Sequence, residues 1–169
     1  IDSIMSGPSG PGGGNIDNKT SRLYKALVET EVAASVYGSM IPTIDPYLYS
    51  ITVTVRDGHT LEEAESALDA QIERVRNGDI TQAELDKAKK QARALFAYST
   101  EGVTGQGFWL AFAENFESYK WFEGYVDRLS AVTLEEVNEA AQRYLIPQNR
   151  TVGWLVPTGA DGAEFDEEE

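Results

Sequence analysis

The chain has no cysteine and a single histidine among its 169 residues. Without cysteine there is no disulfide, no thiolate zinc site, no iron–sulfur cluster and no cysteine nucleophile. The lone His59 leaves a catalytic zinc short of partners, because such sites take three protein ligands. The Gly-x-Ser-x-Gly elbow of serine hydrolases is missing too. No apolar run approaches the ~20 residues a membrane-spanning helix needs, so no membrane span is expected. Basic residues are scarce: 14 Lys and Arg stand against 28 Asp and Glu, a formal net charge of −14. Such a surface repels phosphate backbones, which argues against nucleic acid and anionic membranes as partners. A cysteine-free chain survives in either redox setting, so a cytoplasmic and a periplasmic or other extracytoplasmic location both stay open.

The charge is unevenly spread. Residues 158–169 hold six acids and no Lys or Arg, leaving 22 acids and 14 bases in residues 1–157. The last twelve residues are therefore expected to be an acidic, disordered tail. The whole chain is 41% hydrophobic and 25% charged, and residues 1–157 suffice for one domain with a core.

Ile1, Ile4 and Met5 share a helical face and Gly7 follows as a stop, which predicts the last turns of a helix that begins upstream. Residues 7–18, rich in Gly and Pro, predict a flexible loop, and they lack the Gly-Lys-Ser/Thr ending of a phosphate-binding loop. A short helix is expected over residues 19–30, with Leu23, Ala26 and Leu27 inward. Residues 32–41 read as a strand, and the prolines at 42 and 46 mark a turn. Tyr49, Ile51, Val53 and Val55 alternate with Ser50, Thr52, Thr54 and Arg56, the period of a half-buried strand paired as a hairpin with the one before it.

Thr60-Leu-Glu-Glu63, Thr81-Gln-Ala-Glu84 and Thr133-Leu-Glu-Glu136 are capping boxes, each opening a helix. Their apolar stripes run through Leu61, Ala64, Leu68, Ile72 and Val75; through Leu85, Ala88, Ala92, Leu95 and Phe96; and through Leu134, Val137, Ala141, Tyr144 and Leu145. Two aromatic-rich helices are expected at 104–118 and 119–129. Residues 151–156 read as a final strand in the same sheet. The sum is an α+β fold, with helices packed on one face of a largely antiparallel sheet.

Candidate chemistry is thin. His59-Thr-Leu-Glu62-Glu63 has the spacing of an inverted zinc motif, H-x-x-E-H, but Glu63 stands where the second His belongs and is also a capping residue. The acidic pairs Glu62/Glu63 and Glu135/Glu136 lie in first helical turns, where they favour the helix dipole. The aromatics between 108 and 125 fit core packing better than a ligand groove. No catalytic residue, no metal ligand and no cofactor is assigned to this chain.

Several stretches together carry a family resemblance. They are Ser21-Arg-Leu-Tyr-Lys-Ala-Leu-Val-Glu29, the Asp45-Pro46 turn, residues 56–65, residues 80–89, residues 131–137 and residues 149–157. In this order and spacing the chain resembles the second, C-terminal domain of insulinase/pitrilysin-type zinc metallopeptidases. The resemblance covers residues 1–157 and implies a domain incomplete at its N-terminus. It implies paired α+β domains closing as a clam shell around a peptide, with zinc held by H-x-x-E-H in the preceding N-terminal domain. It also implies a partner domain or companion subunit that supplies an Arg and a Tyr to the substrate backbone. Val28 and Ala34 stand at those two positions, so this chain matches the zinc-bearing subunit's second domain instead. The expected role is a non-catalytic domain of a zinc endopeptidase, inactive alone, acting on peptide only within the full-length protein. The alternative is a scaffold protein of the same fold without peptidase activity.

Overall fold

A hairpin and an N-terminal helical turn make the frame on which the other helices pack. The computed structural model describes residues 1–8, 19–41 and 43–156. Within them the order is α1 (Asp2–Met5), a π-helical turn (Tyr24–Val28), β1 (Ala33–Met40), β2 (Tyr49–Val55), α2 (Leu61–Arg76), α3 (Gln82–Ser99), α4 (Val103–Phe116), α5 (Tyr119–Glu123), α6 (Tyr125–Ala131), α7 (Leu134–Tyr144) and a 3-10 turn (Pro147–Asn149). The expected tail at 158–169 and most of the Gly-rich loop lie outside the described residues.

β1 and β2 pair antiparallel, with Val36 opposite Val53 and Gly38 opposite Ile51. The register slips between Ala33 and Ser35, which leaves Ala34 as the extra residue of a bulge. Ser50, Thr52 and Thr54 are exposed, while Ile51, Val53 and Val55 are half-buried and face the helices. Gly38 is buried under α1: a Cβ there would overlap Ser6 Oγ and Asp2 Oδ1. Ser6 Oγ donates to Asp2 Oδ1 at 2.6 Å above it. The Tyr49 hydroxyl is buried beside the same Asp2 and Ser6, and that burial pushes its pKa up.

The core joins Met5, Leu23, Leu27, Ala33, Val75, Ile80, Leu85, Ala88, Val137 and Ala141 with Ile4, so its buried side chains come from α1, the π-helical turn, β1, α2, α3 and α7 and the connections between them. All three capping boxes form in full, with Glu63, Glu84 and Glu136 reaching back to the backbone N–H of Thr60, Thr81 and Thr133. Gly78 ends α2 at φ +79°, a conformation L side chains rarely adopt.

Three expectations need correction. Residues 151–156 do not join the sheet, which has only β1 and β2 among the described residues. They are exposed and lie beside α2, where Arg150 binds Glu65 at 2.6 Å and Asp69 at 2.8 Å, and Trp154 Nε1 donates to Glu65 at 3.1 Å. Apolar alternation orients a strand's side chains but supplies no partner for its backbone. Tyr144 is 59% exposed rather than inward, because it lies in the last turn of α7, past the buried Val137 and Ala141. The single helix expected over 119–129 is two helices meeting at Gly124. In the α2 stripe, Ala64 and Val75 are buried, whereas Leu61, Leu68 and Ile72 are only half-buried.

Candidate functional site

The one place where sequence suggested metal chemistry is the strand-to-helix turn at His59. His59 N–H bonds the Arg56 carbonyl at 3.1 Å, and Gly58 takes φ +90° to close the turn. His59 Nδ1 lies 3.1 Å from Glu63 Oε2. The same Glu63 oxygen accepts the Thr60 backbone N–H at 3.1 Å. That backbone bond, then the His59 contact, holds the Glu63 carboxyl below its usual range. The carboxylate is therefore occupied by the cap, and the pair is open to solvent. Glu136 is held low in the same way by Thr133 N–H, and it too acts as a cap. Among the described residues there is no group of three or more His, Cys, Asp or Glu that could hold a metal ion. The residues present do not fit a catalytic zinc.

Val28 and Ala34, where the resemblance leads one to expect an Arg and a Tyr, are placed by this fold. Val28 ends the π-helical turn and is half-buried against the core. Ala34 is the exposed bulge residue of β1. Neither side chain offers a hydrogen bond to a peptide.

The aromatic residues gather in one cluster made by the end of α3 and by α4 to α6. Phe96 stacks on Tyr125 at 4.6 Å and meets Trp109 edge-on at 5.3 Å, and Trp121 meets Phe116 at 4.9 Å. Trp109 alone of these rings is buried, and its Nε1 donates to Ser99 Oγ at 2.8 Å. The cluster is a local core for the α4–α6 lobe. Its rim, including Phe108 and Tyr119 at 48% exposure each, stays open.

The most ordered polar constellation was not visible in the sequence. Arg22 grips Glu84 with two parallel bonds, Nε to Oε1 at 2.7 Å and Nη2 to Oε2 at 2.8 Å. Its Nη2 also donates to the Asp79 carbonyl, and Arg74 Nε binds the Asp79 carboxylate at 2.5 Å. Glu84 is at once the capping residue of α3, so the guanidinium ties the 19–30 segment to the start of that helix. Ser21, 3% exposed, accepts the Tyr24 N–H at 3.3 Å and starts the turn. The conspicuous Ser21-Arg22-Leu23 run is thus a structural clamp. A separation of 62 residues hides it from any local pattern.

This clamp sets a pH dependence. The Arg22 bonds hold the Glu84 pKa at about 2, below its ordinary 4.5. A depressed carboxylate pKa stabilises the fold above the ordinary value and loses that contribution as pH falls through the folded one. Thermal melts should therefore show stability falling between pH 4.5 and about 2. In Arg22→Ala, melts across the same window should show a shallower fall. An unchanged slope would mean that Glu84 is not the group being titrated.

The family model described as Peptidase M16 inactive domain matches residues 3–92. The inactive peptidase domain of a candidate zinc protease from Bordetella parapertussis superposes with a TM-score of 0.79 at 27% identity, covering 95% of this chain and 82% of that one. A candidate zinc protease from Bordetella pertussis Tohama I gives 0.76 at 27% identity, covering 93% and 81%. A protease from Helicobacter pylori shares the fold at a TM-score of 0.74 and 18% identity, covering 86% of this chain but 33% of its own. No curated protein matches.

Proposed function

Because the chain belongs to the inactive C-terminal domain family of the M16 peptidases, we propose that it is the non-catalytic half of a zinc-dependent endopeptidase. In this reading residues 1–157 form the domain and residues 158–169 an acidic tail outside it. The domain forms part of the wall of a chamber that encloses the peptide and fixes the angle of a zinc-bearing domain. Zinc and its activated water belong to that other domain.

The observation that carries the reading is the combination at one fold: a family match over residues 3–92 and an inverted zinc motif whose carboxylate is already committed to a helix cap. The relatives described as zinc proteases supply the reaction class. Val28 and Ala34 support the view that substrate-gripping polar groups come from another domain or a companion subunit.

The test is a fluorogenic peptide assay with three samples: this chain, a polypeptide carrying the zinc-bearing domain, and the two together. Cleavage by the mixture, well above that of either component, is the expected result. A zinc-bearing polypeptide fully active alone and indifferent to this chain would contradict it.

A further inference from the structure

Asn77-Gly78 is the one asparagine–glycine pair in the sequence; Asn15, Asn18, Asn115, Asn138 and Asn149 all precede larger residues. With no Cβ on the following residue, its main-chain nitrogen reaches the asparagine side chain unhindered. In such a pair the Gly78 nitrogen attacks Asn77 Cγ, the side-chain amide leaves as ammonia with the Gly78 proton, and a cyclic imide closes. Water then opens the ring at either carbonyl, giving aspartate or isoaspartate, and is the only co-reactant. The fold engages the groups this reaction needs. Asn77 caps α2, and the turn after it is a Schellman motif: Gly78 N–H donates to the Val75 carbonyl and Asp79 N–H to the Arg74 carbonyl, both at 3.1 Å. The attacking nitrogen is thereby tied to Val75, and Asn77 Nδ2 donates to Glu73 Oε1 at 3.3 Å. Asp79 is held in turn, its carboxylate by Arg74 Nε at 2.5 Å and its carbonyl by Arg22. Asn77 and Gly78 are themselves exposed, so water has access to both.

We propose that Asn77 is a site of spontaneous modification gated by the C-cap of α2. While the cap is closed, the Gly78 nitrogen stays on Val75 and the amide survives. When the cap opens, the nitrogen is released and Asn77 passes to aspartate and isoaspartate. Opening of this kind is a local event, far easier than global unfolding, so the reaction proceeds in the folded protein at a rate set by the open fraction. The two products act differently. Aspartate leaves the main chain unaltered, so both Schellman bonds survive. Isoaspartate routes the main chain through the side-chain carbon and lengthens it by a methylene. Gly78 and Asp79 then cannot both reach Val75 and Arg74, and the Asp79 carbonyl is drawn away from Arg22. Either product also places a new carboxylate beside Glu73 and Asp79, where like charges repel. The change falls next to Ile80, which is buried in the core, so isoaspartate loosens the connection between α2 and α3. The gate rests on the α2 cap alone and is independent of any zinc-bearing domain.

Peptide mapping by mass spectrometry during incubation in mildly alkaline buffer tests the gate. The samples are the folded chain, the same chain unfolded in guanidinium, and folded Arg74→Ala, which removes one hold on Asp79. In the unfolded chain Asn77 should convert ahead of every other asparagine. In the folded chain it should convert roughly ten- to a hundredfold more slowly, the factor that two backbone hydrogen bonds supply. Arg74→Ala should convert a few-fold faster than the folded chain, the scale of one exposed ion pair. The purified isoaspartate form should melt several degrees below Asn77→Asp, because only isoaspartate breaks the cap. Conversion of the folded chain at the unfolded rate overturns the inference. So does conversion of another asparagine before Asn77 in the unfolded chain, an Arg74→Ala rate equal to that of the folded chain, or an isoaspartate form that melts with Asn77→Asp.

Discussion

Leu27→Ala should cost about 2–5 kcal/mol of folding stability, the range for truncating a fully buried leucine. Leu27 has no exposed surface and lies in the π-helical turn that delivers the chain into β1. It shares the core cluster with residues of different elements: Met5 in α1, Ala33 in β1 and Val75 in α2. These elements cannot all close on one vacated site, so a cavity remains and its cost adds to the lost transfer energy. Leu68 is the control. It sits on the α2 stripe but only half-buried, so Leu68→Ala should lose distinctly less. Urea melts of both variants measure the difference. A Leu27→Ala loss below about 0.5 kcal/mol, the scale of surface changes, would remove this residue from the core.

Gly105→Ala should cost about 1–3 kcal/mol, the scale of overpacking, although it replaces a helix-interior glycine by a better helix former. A Cβ at position 105 would overlap the Ser99 carbonyl oxygen, which is backbone at the end of α3 and cannot swing aside. The α3–α4 junction must then open, and the Trp109 bond to Ser99 Oγ goes with it. Gly107, two residues on, has no atom within 4 Å of the same added carbon. Gly107→Ala should therefore stabilise α4 by roughly 0.5–1 kcal/mol. Melts followed by tryptophan fluorescence would resolve the two. Equal effects at both positions would mean that the α3–α4 packing is not as described.

What the sequence made legible follows from the range of the forces involved. The capping boxes at Thr60, Thr81 and Thr133 were readable because both partners lie within four residues. The hairpin was readable because one exposed face imposes period two on residues 49–55. The Tyr24–Val28 turn, by contrast, adopts π geometry, with Glu29 N–H bonding Tyr24 O at 3.0 Å, and no local composition announces that extra residue. Arg22 and Glu84 meet only because α1, the turn and α3 pack together, so their pairing belongs to the tertiary fold. Residues 151–156 fall outside the sheet of the described residues for the same reason: a strand is a relation between two segments, and the pattern of one cannot supply the other. Around His59 the sequence was more informative, because the rules for zinc ligands are local and stringent. Replacing one histidine by Glu63 is enough to empty the motif, and the structure shows that carboxylate bound to Thr60 and His59.

We propose that this M16 domain contributes shape and support rather than chemistry. Equilibrium dialysis of the purified 169-residue chain against zinc, followed by metal analysis and a peptide-cleavage assay on the same sample, tests it most directly. The predicted result is zinc that washes out freely, with no cleavage above the buffer rate and no change on His59→Ala. Retention of zinc at one ion per chain, with cleavage abolished by His59→Ala, would contradict it.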